Sequence, residues 1–186
     1  MKVSREKMAE NRRRILSEAA RLFKAHGFES VTVSDVMNAA GLTHGGFYGH
    51  FKSKDNLIAE TLAYAVDSTD AVDFDLSRYA AAYLSHKHRD DLAGGCPTAS
   101  LGSETIRQSP EARAAMTAGL RRQIERFAKT VPGNTTAEKR QAAIGTWAAM
   151  VGGLILARLS DDPKLSDEIL AQTRAWIRSN GVTSAS

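Results

Sequence analysis

The sequence predicts an all-α protein of about nine helices, and three observations support this. Apolar residues recur three and four positions apart, as at Ile15, Ala19, Leu22 and Phe23, which is the spacing of one helix face. No segment shows the strict alternation of apolar and polar residues that is typical of a strand. Glycines, prolines and helix-capping residues separate the periodic segments, so the helices are short and numerous.

The first three predicted helices lie close together at the N-terminus. The first covers Met8 to His26 and ends at Gly27, since glycine favours a helix C-terminus. The second covers Val33–Ala40 and follows Thr32, a residue type that caps helix N-termini. The third covers His44–His50.

Six further helices are predicted in the rest of the chain. Gly94-Gly95 and Pro132-Gly133 mark breaks between them, and Pro97 suits the first position of a helix. The predicted helices run over Lys54–Val66, Leu76–Asp91, Cys96–Gln108, Ser109–Val131, Thr136–Leu159 and Pro163–Ser179.

Composition bounds the class of protein. The 186 residues are 42% hydrophobic and 25% charged, which is ordinary for a soluble globular protein. A single cysteine, Cys96, excludes a disulfide within the chain and favours a reducing compartment. With no recognisable targeting segment, we expect a cytoplasmic protein. The apolar stretch Ala142–Leu159 contains glycines and Arg158, and we interpret it as a buried or interface helix that does not span a membrane.

The positive charge is concentrated at one end of the chain. The formal net charge is +4, and the first 24 residues alone carry eight basic and three acidic side chains, a net charge of +5. The segment from Asp55 to Asp75 contains six acids and no Lys or Arg. This division favours an N-terminal part that binds an anion, although a solvated basic tail gives the same pattern.

Residues 32–57 contain a helix-turn-helix pattern, in which two short helices are joined by a turn with a glycine. Gly41 can take the positive φ that ends the first helix, and Leu42 can fill the angle between the two. Phe47 and Phe51, four residues apart, would anchor the second helix. That helix would dock in a DNA major groove through its start and outer side, which hold Thr43, His44, Gly45, Gly46 and Tyr48.

Over about residues 10–60 the sequence resembles the DNA-binding domain of the TetR family of bacterial transcriptional repressors. The resemblance implies a DNA-binding domain over residues 1–53 and a helical effector-binding and dimerisation domain over residues 54–186. The residues that carry it, in order, are Ala19, Ala20, Leu22, Phe23, Gly27, Phe28, Thr32, Ala40, Gly41, Thr43, Gly45, Phe47, Tyr48, His50, Phe51, Lys54 and Leu57.

The resemblance implies that several residues contact DNA. Tyr48 would reach a phosphate through its hydroxyl, and Lys54 would hold the backbone at the start of the next helix. The residues expected at base edges are Thr43, His44, Gly45 and Gly46. Thr32 and Ser34, at a helix N-terminus, are expected at phosphates. The three arginines Arg12, Arg13 and Arg14 are also expected at phosphates or in the minor groove, and a solvated face is their alternative. Since glycines stand where longer side chains often read bases, DNA shape is expected to contribute to specificity.

The resemblance also implies a homodimer that binds a palindromic operator and releases it when a small-molecule effector binds. The candidate dimer contacts are Trp147, Met150, Gly153, Leu154 and Trp176, and the candidate effector or sensor residues are Tyr83, His86, Cys96, Phe127 and Trp147. Ordinary core packing is the alternative for both sets.

Cys96 has a second interpretation. It stands at a predicted helix start, where the helix dipole favours a thiolate, so it is a candidate sensor of electrophiles or oxidants. A buried apolar role is the alternative. An enzyme with Cys96 as nucleophile and a non-DNA-binding helical interaction module are competing functions, but neither explains the helix-turn-helix residues. The sequence predicts no metal site, no cofactor and no nucleotide-binding loop.

Overall fold

The computed structural model describes residues 5–66 and 74–180. The described part contains nine α-helices, one 3₁₀ helix and no strand, so the predicted all-α class is confirmed. Lys2 and the acids Asp67, Asp70 and Asp73, which contribute to the charge pattern, lie outside the described residues. The elements are α1 (Arg5–Ser30), α2 (Val33–Ala39), the 3₁₀ helix (His44–Gly49), α3 (Lys54–Val66), α4 (Leu76–Tyr83), α5 (His86–Asp90), α6 (Pro97–Thr105), α7 (Pro110–Ala128), α8 (Thr136–Leu159) and α9 (Pro163–Asn180).

The chain forms two compact units. The first comprises residues 1–68 and 96–119, and the second comprises residues 69–95 and 120–186. The expected functional division after residue 53 stays a prediction.

In the first unit, α1 packs against α2, α3 and α6. Its core is rich in aromatic rings, and Phe23 and Phe28 meet edge to face with ring centroids 5.2 Å apart. Replacing one such buried ring with alanine typically costs about 3–5 kcal/mol. The fully buried side chains include Ile15, Phe23, Phe28, Val36, Met37, Phe47, Phe51, Leu57 and Leu62.

Gly27 interrupts α1. Its φ of 80° is outside the helical region, so the helix changes direction there before continuing to Ser30. A Cβ at this position would lie 2.6 Å from Oε1 of Glu104. The next residue, Phe28, donates its backbone N–H to Oε2 of the same carboxylate over 2.7 Å. The predicted helix end at Gly27 therefore corresponds to a kink that Glu104 of α6 stabilises.

Two predicted helices differ from the observed ones. The helix that follows Thr43 is a 3₁₀ helix, because Gly45 and Gly46 are poor α-helix formers and short helical segments tolerate the tighter winding. The helix predicted over residues 76–91 is divided into α4 and α5. The division occurs because the Ser85 hydroxyl accepts the His88 backbone N–H over 3.2 Å and so caps a new helix.

The second unit is built around the packing of α8 against α9. A capping box starts α8, in which Thr135 and Glu138 each bond the other's backbone N–H. A Cβ at Gly153 would lie 2.8 Å from Oγ1 of Thr173, so this glycine permits the close approach of the two helices. Within the described residues α8 is long and apolar enough to cross a membrane by composition, a test that core helices of soluble proteins also pass.

Candidate functional site

The turn between α2 and the 3₁₀ helix depends on a left-handed glycine. Gly41 has a φ of 63°, a conformation that residues with a Cβ rarely adopt. Its backbone N–H donates to the Asn38 carbonyl over 2.9 Å, and the Leu42 N–H donates to the Met37 carbonyl over 2.9 Å. These bonds close the C-terminus of α2 and direct the chain into the next helix.

The 3₁₀ helix buries one side chain and exposes the others. Phe47 is 1% exposed and stacks on Phe51 with ring centroids 5.7 Å apart, whereas Tyr48 is 72% exposed. We call the exposed set the reading surface: Thr43, His44, Gly45, Gly46 and Tyr48. The structure therefore brings together the residues that were predicted to meet DNA and fixes them through Phe47.

The reading surface is tied to the start of α2. Ser34 Oγ lies 3.0 Å from Nδ1 of His44, within hydrogen-bond distance. This bond restrains the His44 ring and leaves its other nitrogen, Nε2, to contact a further partner.

Thr32 has a structural role as the N-cap of α2. Its hydroxyl donates to Oδ2 of Asp35 over 2.6 Å and accepts the Asp35 backbone N–H over 3.1 Å. The hydrogen bonds from the Thr32 hydroxyl, and then from its backbone N–H, lower the pKa of the Asp35 carboxyl. Because a carboxylate already occupies this helix terminus, a phosphate contact by Thr32 would have to share the cap with Asp35.

The three consecutive arginines of α1 have different surroundings. Arg12 is partly buried, pairs with Glu60 and places its guanidinium 4.6 Å from the centre of the Phe51 ring. Arg13 and Arg14 are exposed, and Nη2 of Arg14 lies 3.9 Å from the point where a Cβ of Gly41 would stand. Arg14 thus lies beside the turn between the two helices, whereas Arg12 is held in its ion pair with Glu60.

Neighbouring residues support this arrangement, and one of them, Asn56, was not indicated by the sequence. Asn56 donates to Oε1 of Glu60 over 3.0 Å and accepts the Lys52 backbone N–H over 3.1 Å. Burial, and then the charge of Arg12, lower the pKa of the His50 imidazole. Lys54, the expected backbone contact, is half-buried at the start of α3.

Six aromatic side chains form a continuous cluster in the second unit. Tyr83 and Phe127 lie next to Trp147, with ring centroids 5.4 Å and 5.7 Å away, which brings three of the effector candidates together. We call the full set the aromatic cluster: Phe74, Tyr79, Tyr83, His88, Phe127 and Trp147.

The other two effector candidates lie elsewhere. His86 is exposed and its Nε2 lies 3.1 Å from Asp167, while the His88 ring is 4.5 Å from Tyr83. His88 thus takes the place in the cluster that was expected for His86, because the break at Ser85 changes the helix register. Cys96 is a half-buried residue at the N-cap position of α6, in the first unit.

The predicted dimer contacts are mostly internal to the second unit. Trp147 is 7% exposed, and Met150, Gly153 and Leu154 are buried. Their face of α8 packs within the unit, and their assignment to the dimer interface stays a prediction. Trp176 is 50% exposed, and the other exposed large apolar side chains of α8 and α9 are Ile144, Leu156, Leu159 and Leu165.

No group of three or more His, Cys, Asp or Glu side chains that could hold a metal ion occurs in residues 5–66 and 74–180. That the protein binds no metal stays a prediction.

Comparison with known proteins places the chain among bacterial regulators. Residues 15–61 match the family model "Bacterial regulatory proteins, tetR family", and residues 74–173 match "Tetracyclin repressor-like, C-terminal domain". The chain is similar to the HTH-type transcriptional regulator AcrR of Shigella flexneri, with 39% identity over 57 residues, which are 31% of this chain and 26% of AcrR. It is also similar to the HTH-type transcriptional repressor KstR2 of Mycolicibacterium smegmatis, with 37% identity over 59 residues, or 32% of this chain and 29% of KstR2.

The likeness to these curated relatives is confined to one part of the chain, and the matched segment spans 20% to 29% of the lengths of three of them. A TetR transcriptional regulator from Chloroflexus aurantiacus has the same fold over 96% of this chain and 100% of its own, with a TM-score of 0.74 and 23% identity. This structural likeness shows the fold alone.

Proposed function

The chain belongs to the TetR family of bacterial regulatory proteins, and from that premise we propose that it is a DNA-binding transcriptional regulator in the cytoplasm. It acts as a repressor that binds a palindromic operator as a homodimer. The observation that carries the proposal is the reading surface, in which Tyr48 is 72% exposed while its neighbour Phe47 is 1% exposed. A helix held by a buried ring, with its polar side outward, suits insertion into a major groove.

A selection from random DNA tests this proposal. The protein should enrich a palindromic sequence, because two copies related by a twofold axis present two reading surfaces to two half-sites. A matched selection with a Tyr48→Ala, His44→Ala double variant should enrich nothing above background. Enrichment of the same sequence by both proteins, or of none by the wild type, would contradict the proposal.

The homodimer is proposed to form through the exposed face of α8 and α9. This face carries large apolar side chains that their own chain leaves exposed, among them Leu156 at 55% and Leu159 at 74%. Methyl groups built at Gly145 and Gly152 of α8 would meet nothing within 4 Å, so a second helix can approach closely there. In sedimentation equilibrium the wild type should be a dimer. Leu156→Glu should be a monomer, because this substitution charges the exposed face and leaves the buried Leu154 unchanged.

Release from DNA is proposed to follow the binding of a small molecule or the modification of Cys96. Cys96 occupies the N-cap position of α6, and Glu104 near the other end of α6 accepts the Phe28 backbone N–H at the kink of α1. A bulky adduct on Cys96 would therefore disturb a helix that contacts the DNA-binding helices directly. DNA binding should weaken after N-ethylmaleimide treatment of the wild type and stay unchanged in treated Cys96→Ser; an identical response of both proteins would exclude the sensor role.

The competing functions have less support. A Cys96-dependent enzyme would need a general base within reach of the thiol, for which His86 and His88 are the candidates. Neither that enzyme nor a helical interaction module accounts for a reading surface fixed by Phe47 and Ser34. We therefore propose that the chain is not an enzyme.

A further inference from the structure

The ion pair between Arg12 and Glu60 joins α1 to α3. The two side chains are 34% and 33% exposed, so most of each is shielded from water. The pair of Lys7 with Glu10 differs, because it lies within α1 at residues three positions apart and its side chains are 51% and 59% exposed. Since burial reduces the screening of charges by water and salt, the pair between the two helices constrains their geometry more strongly than the exposed pair constrains α1.

Arg12 also lies on the aromatic rings that support the reading surface. Its guanidinium is 4.6 Å from the centre of the Phe51 ring, a distance at which a cation is attracted to the ring face. Phe51 stacks on Phe47 with ring centroids 5.7 Å apart, and the Phe47 ring meets that of Tyr48 edge to face at 5.3 Å. A continuous set of contacts therefore runs from Arg12 to Tyr48, through two rings that are each 1% exposed.

Glu60 also restrains the turn that follows the 3₁₀ helix, and it does so through Asn56. The Asn56 side chain donates to Oε1 of Glu60 over 3.0 Å and accepts the Lys52 backbone N–H over 3.1 Å. The Asn56 backbone N–H donates to Oγ of Ser53 over 3.1 Å. These bonds hold the short turn between the 3₁₀ helix and α3. One carboxylate is therefore connected both to this turn and, through Arg12, to the rings beneath the reading surface.

We propose that Glu60 is a positioning residue for DNA binding: by holding Arg12 against the Phe51 ring, it fixes the direction in which the reading surface faces. Asn56 acts with it by restraining the adjoining turn. The proposal rests on the proposed function, because it concerns how the reading surface is presented to DNA. A direct phosphate contact by Arg12 is the alternative, and the two roles predict opposite results.

Replacing Glu60 separates the two roles by the sign of its effect. DNA is a polyanion, so the loss of a carboxylate and the release of Arg12 should strengthen binding if Arg12 contacts a phosphate. If Glu60 positions the reading surface, Glu60→Ala should weaken operator binding about tenfold, the scale of one lost hydrogen bond to a charged group. Fluorescence anisotropy of the selected operator measures this affinity.

The matched control is Glu18→Ala, which removes a partly buried carboxylate that pairs with Arg21 within α1. It makes the same change of charge in the first unit and should not weaken operator binding. Operator binding by Glu60→Ala that is as tight as that of the wild type, or tighter, would overturn the proposal.

Partial unfolding would also weaken binding, so the affinity for unrelated DNA is measured beside that for the operator. Non-specific binding depends on phosphate contacts, which tolerate a change in the direction of the reading surface. Glu60→Ala should therefore lose more affinity for the operator than for unrelated DNA. Partial unfolding would reduce both affinities by the same factor, and such equal losses would overturn the proposal.

Asn56→Ala is the second test variant, because it removes the bonds to Glu60 and Lys52 without changing the charge. It should lower the ratio of operator affinity to unrelated-DNA affinity, as Glu60→Ala does. Asn134→Ala, at an exposed asparagine of the second unit, is its control and should preserve the ratio. An unchanged ratio in either test variant would overturn the proposal.

The salt dependence of operator binding tests the role of Arg12 itself. Each phosphate contact contributes about 0.9 to the slope of the logarithm of the association constant against the logarithm of the salt concentration. Arg12→Gln should weaken operator binding and keep the slope of the wild type, because no phosphate contact is lost. A slope shallower by about 0.9 would overturn the proposal and assign Arg12 to a phosphate.

The positioning role and the proposed function fail separately in these measurements. A wild type that selects no operator would refute the proposed function. A wild type that binds its operator, with Glu60→Ala binding it as tightly, would retain that function and refute the positioning role.

Discussion

The hydroxyl of Ser34 lies 3.0 Å from Nδ1 of His44 and joins the first turn of α2 to the first residue of the 3₁₀ helix. The two residues are ten positions apart and were predicted separately as a phosphate contact and a base contact. Their bond makes the orientation of the His44 ring depend on α2, so base recognition depends on both helices.

Removing this bond should relax sequence recognition without unfolding the protein. Ser34→Ala frees the His44 ring, and His44→Ala removes it, so both should reduce discrimination at the same operator position. A good base contact contributes about 1–3 kcal/mol, hence a loss of about tenfold is expected in His44→Ala. Competition titrations with single-base operator variants measure this. Ser103→Ala, at an exposed serine of α6, is the control; a loss at different operator positions in the two variants would show that the residues act independently.

Tyr48 should contribute affinity without sequence preference. Its exposed hydroxyl is proposed to bond a phosphate, and phosphate contacts are made with every sequence. Tyr48→Phe should therefore weaken binding to the operator and to unrelated DNA by a similar factor. Anisotropy titrations with both duplexes measure the two affinities, and a changed ratio between them would assign Tyr48 to base recognition.

Gly45 and Gly41 should respond differently to a methyl group. A Cβ at Gly45 meets nothing within 4 Å in the protein, so Gly45→Ala should leave the thermal midpoint unchanged or slightly raise it. Its DNA affinity should fall because the methyl group stands where the backbone approaches the groove. Gly41→Ala should lower the midpoint, since a φ of 63° is strained for alanine. Undiminished DNA binding by Gly45→Ala would show that the backbone does not approach DNA closely there.

The stability of the first unit should fall in mild acid because of His50. Burial lowers the pKa of His50 below its ordinary value of 6.5, and Arg12 adds to the effect. At a pH between the pKa of His50 in the folded protein and its ordinary value of 6.5, the unfolded chain binds the proton more readily than the folded one. The free energy of unfolding therefore decreases as the pH falls from 6.5 toward the folded pKa, and then levels off. An NMR titration of the His50 ring should give a midpoint below 6.5, and Arg12→Gln should move it upward. A midpoint unchanged by Arg12→Gln would exclude the arginine as a cause.

Much of the fold could be predicted because it depends on local signals. Gly41 and the capping residue Thr32 mark helix ends that the structure confirms, and Gly27 marks a kink inside α1. The break between α4 and α5 was missed because Ser85 is one polar residue in a helical pattern, and its bond to the His88 N–H cannot be seen from spacing. That break is also why His88, and not His86, joins the aromatic cluster.

The faces of α8 could not be assigned from the sequence. Apolar and small residues surround this helix on most sides, so periodicity does not separate the face that packs within the unit from the exposed one. Contacts between residues distant in sequence determine which face is buried. Gly153 packs against Thr173 of α9, and Met150 and Leu154 are buried within the unit. For the same reason Arg12 could not be distinguished from Arg13 and Arg14, since its partner Glu60 is 48 residues away.

The central claim is that the first unit binds DNA through its basic N-terminal helix and its reading surface, and the salt dependence of operator binding tests it most directly. The logarithm of the association constant should fall linearly with the logarithm of the salt concentration, with a slope of several units, because each phosphate contact contributes about 0.9. An Arg13→Gln, Arg14→Gln double variant should show a shallower slope. The control is Arg21→Gln, which removes one charge from the same helix at an exposed residue that pairs with Glu18, and its slope should equal that of the wild type. A slope near zero, or an equal slope in the wild type and the double variant, would contradict this account of how the protein binds DNA.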